Sequence, residues 1–470
     1  MSLIDGRRLE PREWRQVRSP YSGEVVSEVA WGGREDAEAA MAAAAGAMAE
    51  EMPGTDRADL LDRVATAIRG DQDLANEMAR AICLEAGKPI AMARLEVSRA
   101  AGTFAIAARE ARALVGEMVP LPGGGGQREK LAYTLRRPIG VVGAITPFNF
   151  PINLVAHKLA PAIAAGCAVV LKPADKTPGA ASLLAGLIES CGLPAGWLNV
   201  VFGEPREIAA ALIEDPRVRM ISFTGSDRIG WELAAAAPRK RVALELGNTS
   251  PGIVSEDADL ERAAAALAAG AFAFSGQTCI SVQRLFVERS VYDAFVELLV
   301  TAAERLRAGD PSDPDTDVGP LISAEATERL LDWIGEATDA GATVLAGGVT
   351  EGPVLRPTVL AGVPDDARLA GEEAFGPVVC VWPYDDFDEA LARANANVHG
   401  LQASLFTYDL RRIEAATHAL EFGAVIVNDS PTFRRDEMPY GGVKHSGNTR
   451  EGPAWAIREM TEERLVVLDI

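Results

Sequence analysis

From residue 140 onward the chain alternates short apolar runs with helical stretches, and this alternation most constrains its fold. GVVGAIT (140–146) leads into a helical stretch near 152–165. CAVVLKP (167–173) precedes one near 178–190, LNVVFG (198–203) one near 205–214, and VRMISFTG (218–225) one near 227–237; RVALELG (241–247) follows. The runs are continuously apolar, as strands are when helices cover both faces of a parallel sheet. A doubly wound α/β domain is therefore expected. A second α/β stretch begins near residue 250, with strands expected at 282–289, 378–383, 402–407 and 424–429.

Residues 34–116 read mostly as helix, with Ala, Leu and charges at helical spacing. The glycine run at 123–126 interrupts that pattern, because it cannot hold a regular element cheaply. LAYTLRRPIG (131–140) reads as an extended arm packed on a partner subunit. ERLVVLDI (463–470) reads as a strand tied into a sheet, its own or a partner's.

Charge narrows the partners. The chain has 46 basic and 67 acidic side chains, a net charge of −21. That argues against nucleic acid and anionic membranes, which need a basic surface. It leaves open a small anionic ligand, which needs only local positive potential. The longest apolar stretch, 263–274, is too short to span a bilayer, and the polar start is unlike a signal peptide. The five cysteines are widely spaced with no CxxC pair, so neither a disulfide framework nor a metal site is expected. A reducing cytoplasm is the expected compartment.

In parallel sheets ligands bind beyond the carboxyl ends of the strands. One such end carries Gly225 and Ser226, where backbone amides and a hydroxyl at a helix start suit a phosphate; Ser226 is equally an ordinary cap. Another carries Lys172 and Asp175, a donor and an acceptor for a ribose, or simply a solvated pair. Asn149 lies between aromatics and prolines and offers a neutral donor to an oxyanion, or an Asn turn. Glu245 ends a buried strand and could be a general base or an ion-paired edge residue. Cys279 sits in a polar, Gly-containing loop that suits a nucleophile better than core packing. The other four cysteines, Cys83, Cys167, Cys191 and Cys380, have apolar or small neighbours and read as inert.

With these residues in view, the chain resembles the NAD(P)-dependent aldehyde dehydrogenase superfamily over nearly its whole length. The matching motifs are TPFNFP (146–151), KPADKTP (172–178), FTGS (223–226), ELGNTSP (245–251), GQTCIS (276–281), EEAFGPVV (372–379) and PYGGVKHSG (439–447). Their texture is similar to the lactaldehyde and glycolaldehyde branch. The resemblance implies two Rossmann-type α/β domains plus a small β oligomerisation arm. It assigns 1–120 and 141–247 to NAD binding, 248–440 to a catalytic thiol domain, and 121–140 with 455–470 to the arm and tail of a homodimer or homotetramer. It also implies Cys279 as nucleophile, Asn149 with the Cys279 amide as oxyanion hole, and Glu245 as base for the hydrolytic water. Lys172, Asp175, Gly225, Ser226, Glu373, Phe375, Thr146 and Phe148 fall at cofactor positions. Phe150, Thr278, Arg434 and Arg435 fall at the substrate pocket, where either arginine could pair with a substrate carboxylate.

Two departures from the common pattern bear on this. Asn248 stands where many members have a small residue and could adjust how Glu245 is held. Asp175 replaces a more frequent Glu; as an acid it favours NAD, with NADP as the alternative. Glu245 favours hydrolysis of the acyl enzyme over its transfer to coenzyme A. A non-catalytic protein of this fold would have tolerated loss of Cys279 or Glu245, and both are present.

Overall fold

The computed structural model of the chain describes residues 1–11, 13–123 and 129–469. Gly124, Gly125 and Gly126 of the glycine run lie outside the described residues.

The first apolar runs form one seven-stranded sheet. Its order is Arg241–Glu245, Val218–Thr224, Val141–Ile145, Val169–Lys172, Leu198–Val200, Leu3–Ile4, Arg7–Arg8. The run from 241 to 200 is parallel throughout; the N-terminal hairpin is added antiparallel at the edge. The helices between the strands start and stop where local chemistry dictates. Pro178 and Pro205 open Pro178–Ser190 and Pro205–Glu214 at positions where a missing N–H costs nothing. Asn153–Ala165 ends at Gly166, in the left-handed region at φ +86°. Its other end has no cap from its own segment. Instead the buried Glu96 carboxylate accepts the amides of Ile152 (2.9 Å) and Asn153 (3.2 Å) from the long helix Ile90–Arg112. A carboxylate there also faces the positive end of the helix dipole.

A second seven-stranded sheet has the order Thr343–Ala346, Thr358–Ala361, Val378–Tyr384, Arg284–Glu288, Pro251–Val254, Gln402–Phe406, Ala424–Val427. It is parallel except at the Thr343–Ala346 edge. Residues 246–250 link the two sheets, so the carboxyl edge of the first meets the amino edge of the second. A third, three-stranded sheet pairs Lys130–Pro138 with Met118–Leu121 and with Thr461–Leu468. The tail is thus tied into a sheet of its own chain. Met118 and Leu135 are exposed on one face of this sheet, and Leu465 and Val467 on the other. Among the described residues, no helix is long and apolar enough to cross a membrane.

Candidate functional site

Parallel register gathers one half of the site. Ile145 lies opposite Lys172 and Phe223, and Thr224 lies opposite Glu245. Thr146, Lys172, Thr224 to Ser226, and Glu245 therefore share one edge. Strand order reverses between Val141–Ile145 and Val218–Thr224, which opens a crevice at that edge. Lys172 is buried, 2.5 Å from Asp175 and 3.1 Å from the Pro173 carbonyl, so the two form an interior pair and not a solvated one. Burial raises the Asp175 pKa despite that partner. Asp175 Oδ1, Thr146 Oγ1 and Thr224 Oγ1 are buried without a partner. Ser226 begins the helix Asp227–Ala236 without a side-chain cap bond. Unpaired buried polar atoms beside a helix start are what a ligand with hydroxyls and phosphates would satisfy. Across the edge, Glu373 accepts the Asn248 amide at 3.0 Å, and burial pushes its pKa up to about 7. Phe375 is held at φ +49° with its ring edge-on to Phe148, centroids 5.9 Å apart.

The Cys279 loop supplies the other half. It lies before Arg284–Glu288, at the amino edge of the second sheet, where the rule of strand carboxyl ends does not look. Helix Leu260–Phe272 is followed, after Ala273, by three residues with positive φ, Phe274 (+47°), Ser275 (+55°) and Gly276 (+70°). Two of them are strained for side-chain-bearing residues. Ser275 donates to the Gly319 carbonyl (2.7 Å), and Gln277 accepts the Ile322 amide (2.8 Å). The Asn149 amide donates to the Gln277 carbonyl at 2.9 Å, two residues from the thiol. That bond uses one of its two N–H groups. Cys279 opens on a cavity of about 210 Å³ whose wall includes Lys88, Arg99, Phe150, Thr278, Arg434 and Tyr440. Burial pushes the thiol pKa up to about 12, while Tyr440 and Arg434 pull it down.

Glu245 occupies a separate narrow space with His157, Lys158 and Glu451. Both its oxygens are buried without a hydrogen-bond partner. Burial raises its pKa well above the ordinary value, and the neighbouring Glu451 raises it further. Gly441, next to Tyr440 in the chain, passes close to Glu245: a Cβ on it would stand 2.7 Å from Glu245 Oε1. Asn248 does not hold Glu245. Its side chain donates to Ser250 (2.8 Å) and to the Gln402 carbonyl (3.2 Å), on the second-sheet side.

The two arginines separate. Arg434 is buried, 3.1 Å from Glu451, and its Nε has no partner. Arg435 does not line the cavity. The chain reverses side-chain direction between adjacent residues here, leaving Arg435 exposed over the Phe433 ring. Sequence reasoning missed Arg99, Lys88 and Tyr440. Arg99 and Lys88 carried no signal, because a charge within a long helical stretch reads as solvated surface. Tyr440 lay within a motif already noted, without a role.

Lys88 is fully buried, ion-paired with Glu96, donates to the Asn149 carbonyl at 2.6 Å and lies 3.8 Å from the Phe150 ring centroid. Lys88→Met would strand the Glu96 carboxylate. We predict a loss of about 3–5 kcal/mol in urea unfolding. A loss under about 1 kcal/mol, the value of a surface pair, would refute a structural role for the pair.

Comparison with known proteins gives a consistent picture. The model of the aldehyde dehydrogenase family matches residues 9–466. A 3-sulfolactaldehyde dehydrogenase of Priestia aryabhattai is 43% identical over 99% of this chain and 97% of its own. Aldehyde dehydrogenase 21 of Physcomitrella patens, solved with the reaction product succinate, superposes with a TM-score of 0.94 at 38% identity, covering 99% of this chain and 97% of that one. A glyceraldehyde-3-phosphate dehydrogenase of Methanocaldococcus jannaschii, complexed with NADP, gives a TM-score of 0.92 at 39% identity, covering 96% and 98%.

Proposed function

The chain belongs to the aldehyde dehydrogenase family and is an enzyme of aldehyde oxidation, and from that premise we propose that it converts a short anionic aldehyde to its acid by hydrolysis of a Cys279 thioester. The observation that carries the substrate class is Arg434. Its guanidinium is already paired with Glu451, but its buried Nε on the wall of the thiol's cavity has no acceptor, and an entering anion would supply one. Arg99, on the same wall, is 2.7 Å from Asp436 and part-exposed, so it faces an entering anion as well. A carboxylate or sulfonate a few bonds from the aldehyde fits this wall. The similar enzymes named for sulfolactaldehyde, and the one holding succinate, agree with that chemistry.

The chain's residues divide the work. Cys279 adds to the aldehyde carbon, and the free Asn149 N–H with the Cys279 amide stabilises the oxyanion. NAD or NADP, when bound, would supply the hydride acceptor for this oxidation. Lys172, Asp175, Gly225, Ser226 and Glu373 would hold it, with Thr146, Phe148 and Phe375 forming the wall of its crevice. Asp175 favours NAD through the ribose hydroxyl, and Lys172 beside it offers the cation that a 2′-phosphate would need. Glu245 then takes a proton from water as it attacks the thioester, and the acid leaves.

A panel of aldehydes against NAD and NADP tests the reading. Semialdehydes and sulfonated aldehydes should show the highest kcat/KM, and coenzyme A should change neither rate nor product. Arg434→Met and Arg99→Met should each lower kcat/KM for anionic aldehydes by roughly tenfold to a hundredfold relative to neutral ones of equal length, the value of one or two charged hydrogen bonds. Equal losses for both substrate sets would remove the arginines from recognition of the substrate anion.

A further inference from the structure

Cys279 lacks the partner that usually activates a buried thiol. The chain has 4 histidines, and none lines the cavity. Lys88 does, but its ammonium is committed to Glu96 and the Asn149 carbonyl. A thiol in apolar surroundings is driven toward its neutral, unreactive form. Something on the protein must favour the charged sulfur.

The group in contact is Tyr440. Its hydroxyl lies 2.8 Å from Cys279 Sγ, and that is its one hydrogen-bond partner among the described residues. The tyrosine is 2% exposed and cannot swing away. Its amide donates to the carbonyls of Met438 (2.9 Å) and Glu451 (3.1 Å), and its own carbonyl accepts the Glu451 amide at 2.5 Å. Ile280 and Leu401 pack beside it. The Arg434 guanidinium stands 3.7 Å from the ring centroid. A cation on a phenol's face draws electron density from the ring, so the hydroxyl becomes a better donor. A thiolate can only accept, so in the reactive state the phenol must donate.

We propose that Tyr440 is a catalytic hydrogen-bond donor that holds Cys279 as a thiolate, with Arg434 fixing and polarising the phenol from behind. This rests on the reading of Cys279 as the nucleophile. It gives Arg434 two faces, one toward Tyr440 and one toward the substrate anion, so an entering anion would reach the thiol through this ring. The other charged groups around the sulfur are Glu245 and Glu373, which oppose its ionisation, and Lys88, Glu96 and Arg99 across the cavity.

The test is the pH dependence of iodoacetamide alkylation of Cys279, read by peptide mapping on the full chain, alongside the pH profile of kcat/KM. Tyr440→Phe should move the alkylation midpoint up by about 1–2 units and slow alkylation at neutral pH by about tenfold or more, since a bond to a charged group is worth that shift. The alkaline shift should recur in kcat/KM, which loss of packing alone would not produce. Replacing all 6 tyrosines with 3-fluorotyrosine keeps the packing and sharpens the donor. It should move the midpoint down, and this measurement stands even if the Phe variant fails to fold. An unchanged midpoint with fluorotyrosine, or in a folded Phe variant, overturns the proposal. Cys279→Ala separates the two readings. Loss of oxidation in that variant with no shift in the Tyr440 tests sinks only the tyrosine. Retained oxidation sinks the nucleophile itself.

Discussion

Cys279→Ala is expected to abolish nucleotide-linked aldehyde oxidation, lowering kcat by roughly four to six orders of magnitude, the scale of losing a covalent nucleophile. No other thiol can stand in. Cys83, Cys167 and Cys380 are buried away from the cavity that Cys279 lines. Cys191 closes the helix Pro178–Ser190 and does not touch the cavity. The substitution removes one sulfur from the mouth of an existing cavity, so the fold should be kept. Lys172, Asp175 and Ser226 lie on the far edge, so nucleotide binding should survive as well. The decisive comparison is nucleotide affinity by calorimetry against turnover by absorbance. Intact affinity with lost turnover is the expected pair. Retained turnover would remove Cys279 from the chemistry.

The elements that the sequence made legible share a physical cause. Central parallel strands are apolar on both sides, so VRMISFT and VVCVWP stand out from amphipathic neighbours. The N-terminal hairpin strands, Leu3–Ile4 and Arg7–Arg8, have 2 residues each, too few to show any period. Thr343–Ala346 is an antiparallel edge strand and only partly buried, which blurs its pattern. The site divides in the same way. Lys172, Ser226 and Glu245 end strands, so a general rule about parallel sheets pointed to them. Cys279 precedes a strand and stood out only through its loop and the family resemblance. Lys88, Arg99 and Tyr440 depend on contacts between distant segments. Tyr440 meets Cys279 across a separation of 161 residues and Arg99 meets Asp436 across 337, and no local pattern encodes such a pairing.

Glu245→Gln should separate the two halves of the reaction. The change is isosteric, so contact with Gly441 and the strand pairing with Thr224 should persist. Acylation should continue, because Cys279, Asn149 and the nucleotide edge are untouched. Deacylation should slow by roughly a hundredfold to ten-thousandfold, the usual contribution of a general base. The expected trace is a burst of reduced nucleotide close to one per active site, followed by a slow steady state, with an acyl adduct on Cys279 visible by mass spectrometry. The pH dependence adds a second readout. Burial and Glu451 raise the Glu245 pKa, so the basic form is gained only as pH rises through that elevated value. Turnover limited by hydrolysis should therefore climb with pH above the ordinary carboxylate range in the native enzyme, and that limb should be missing in the Gln variant. A variant without a burst, or one that keeps the native limb, would place the base elsewhere. The nearest candidate is then Glu451: burial opposes its charge, but Lys158 and Arg434 hold it ionised.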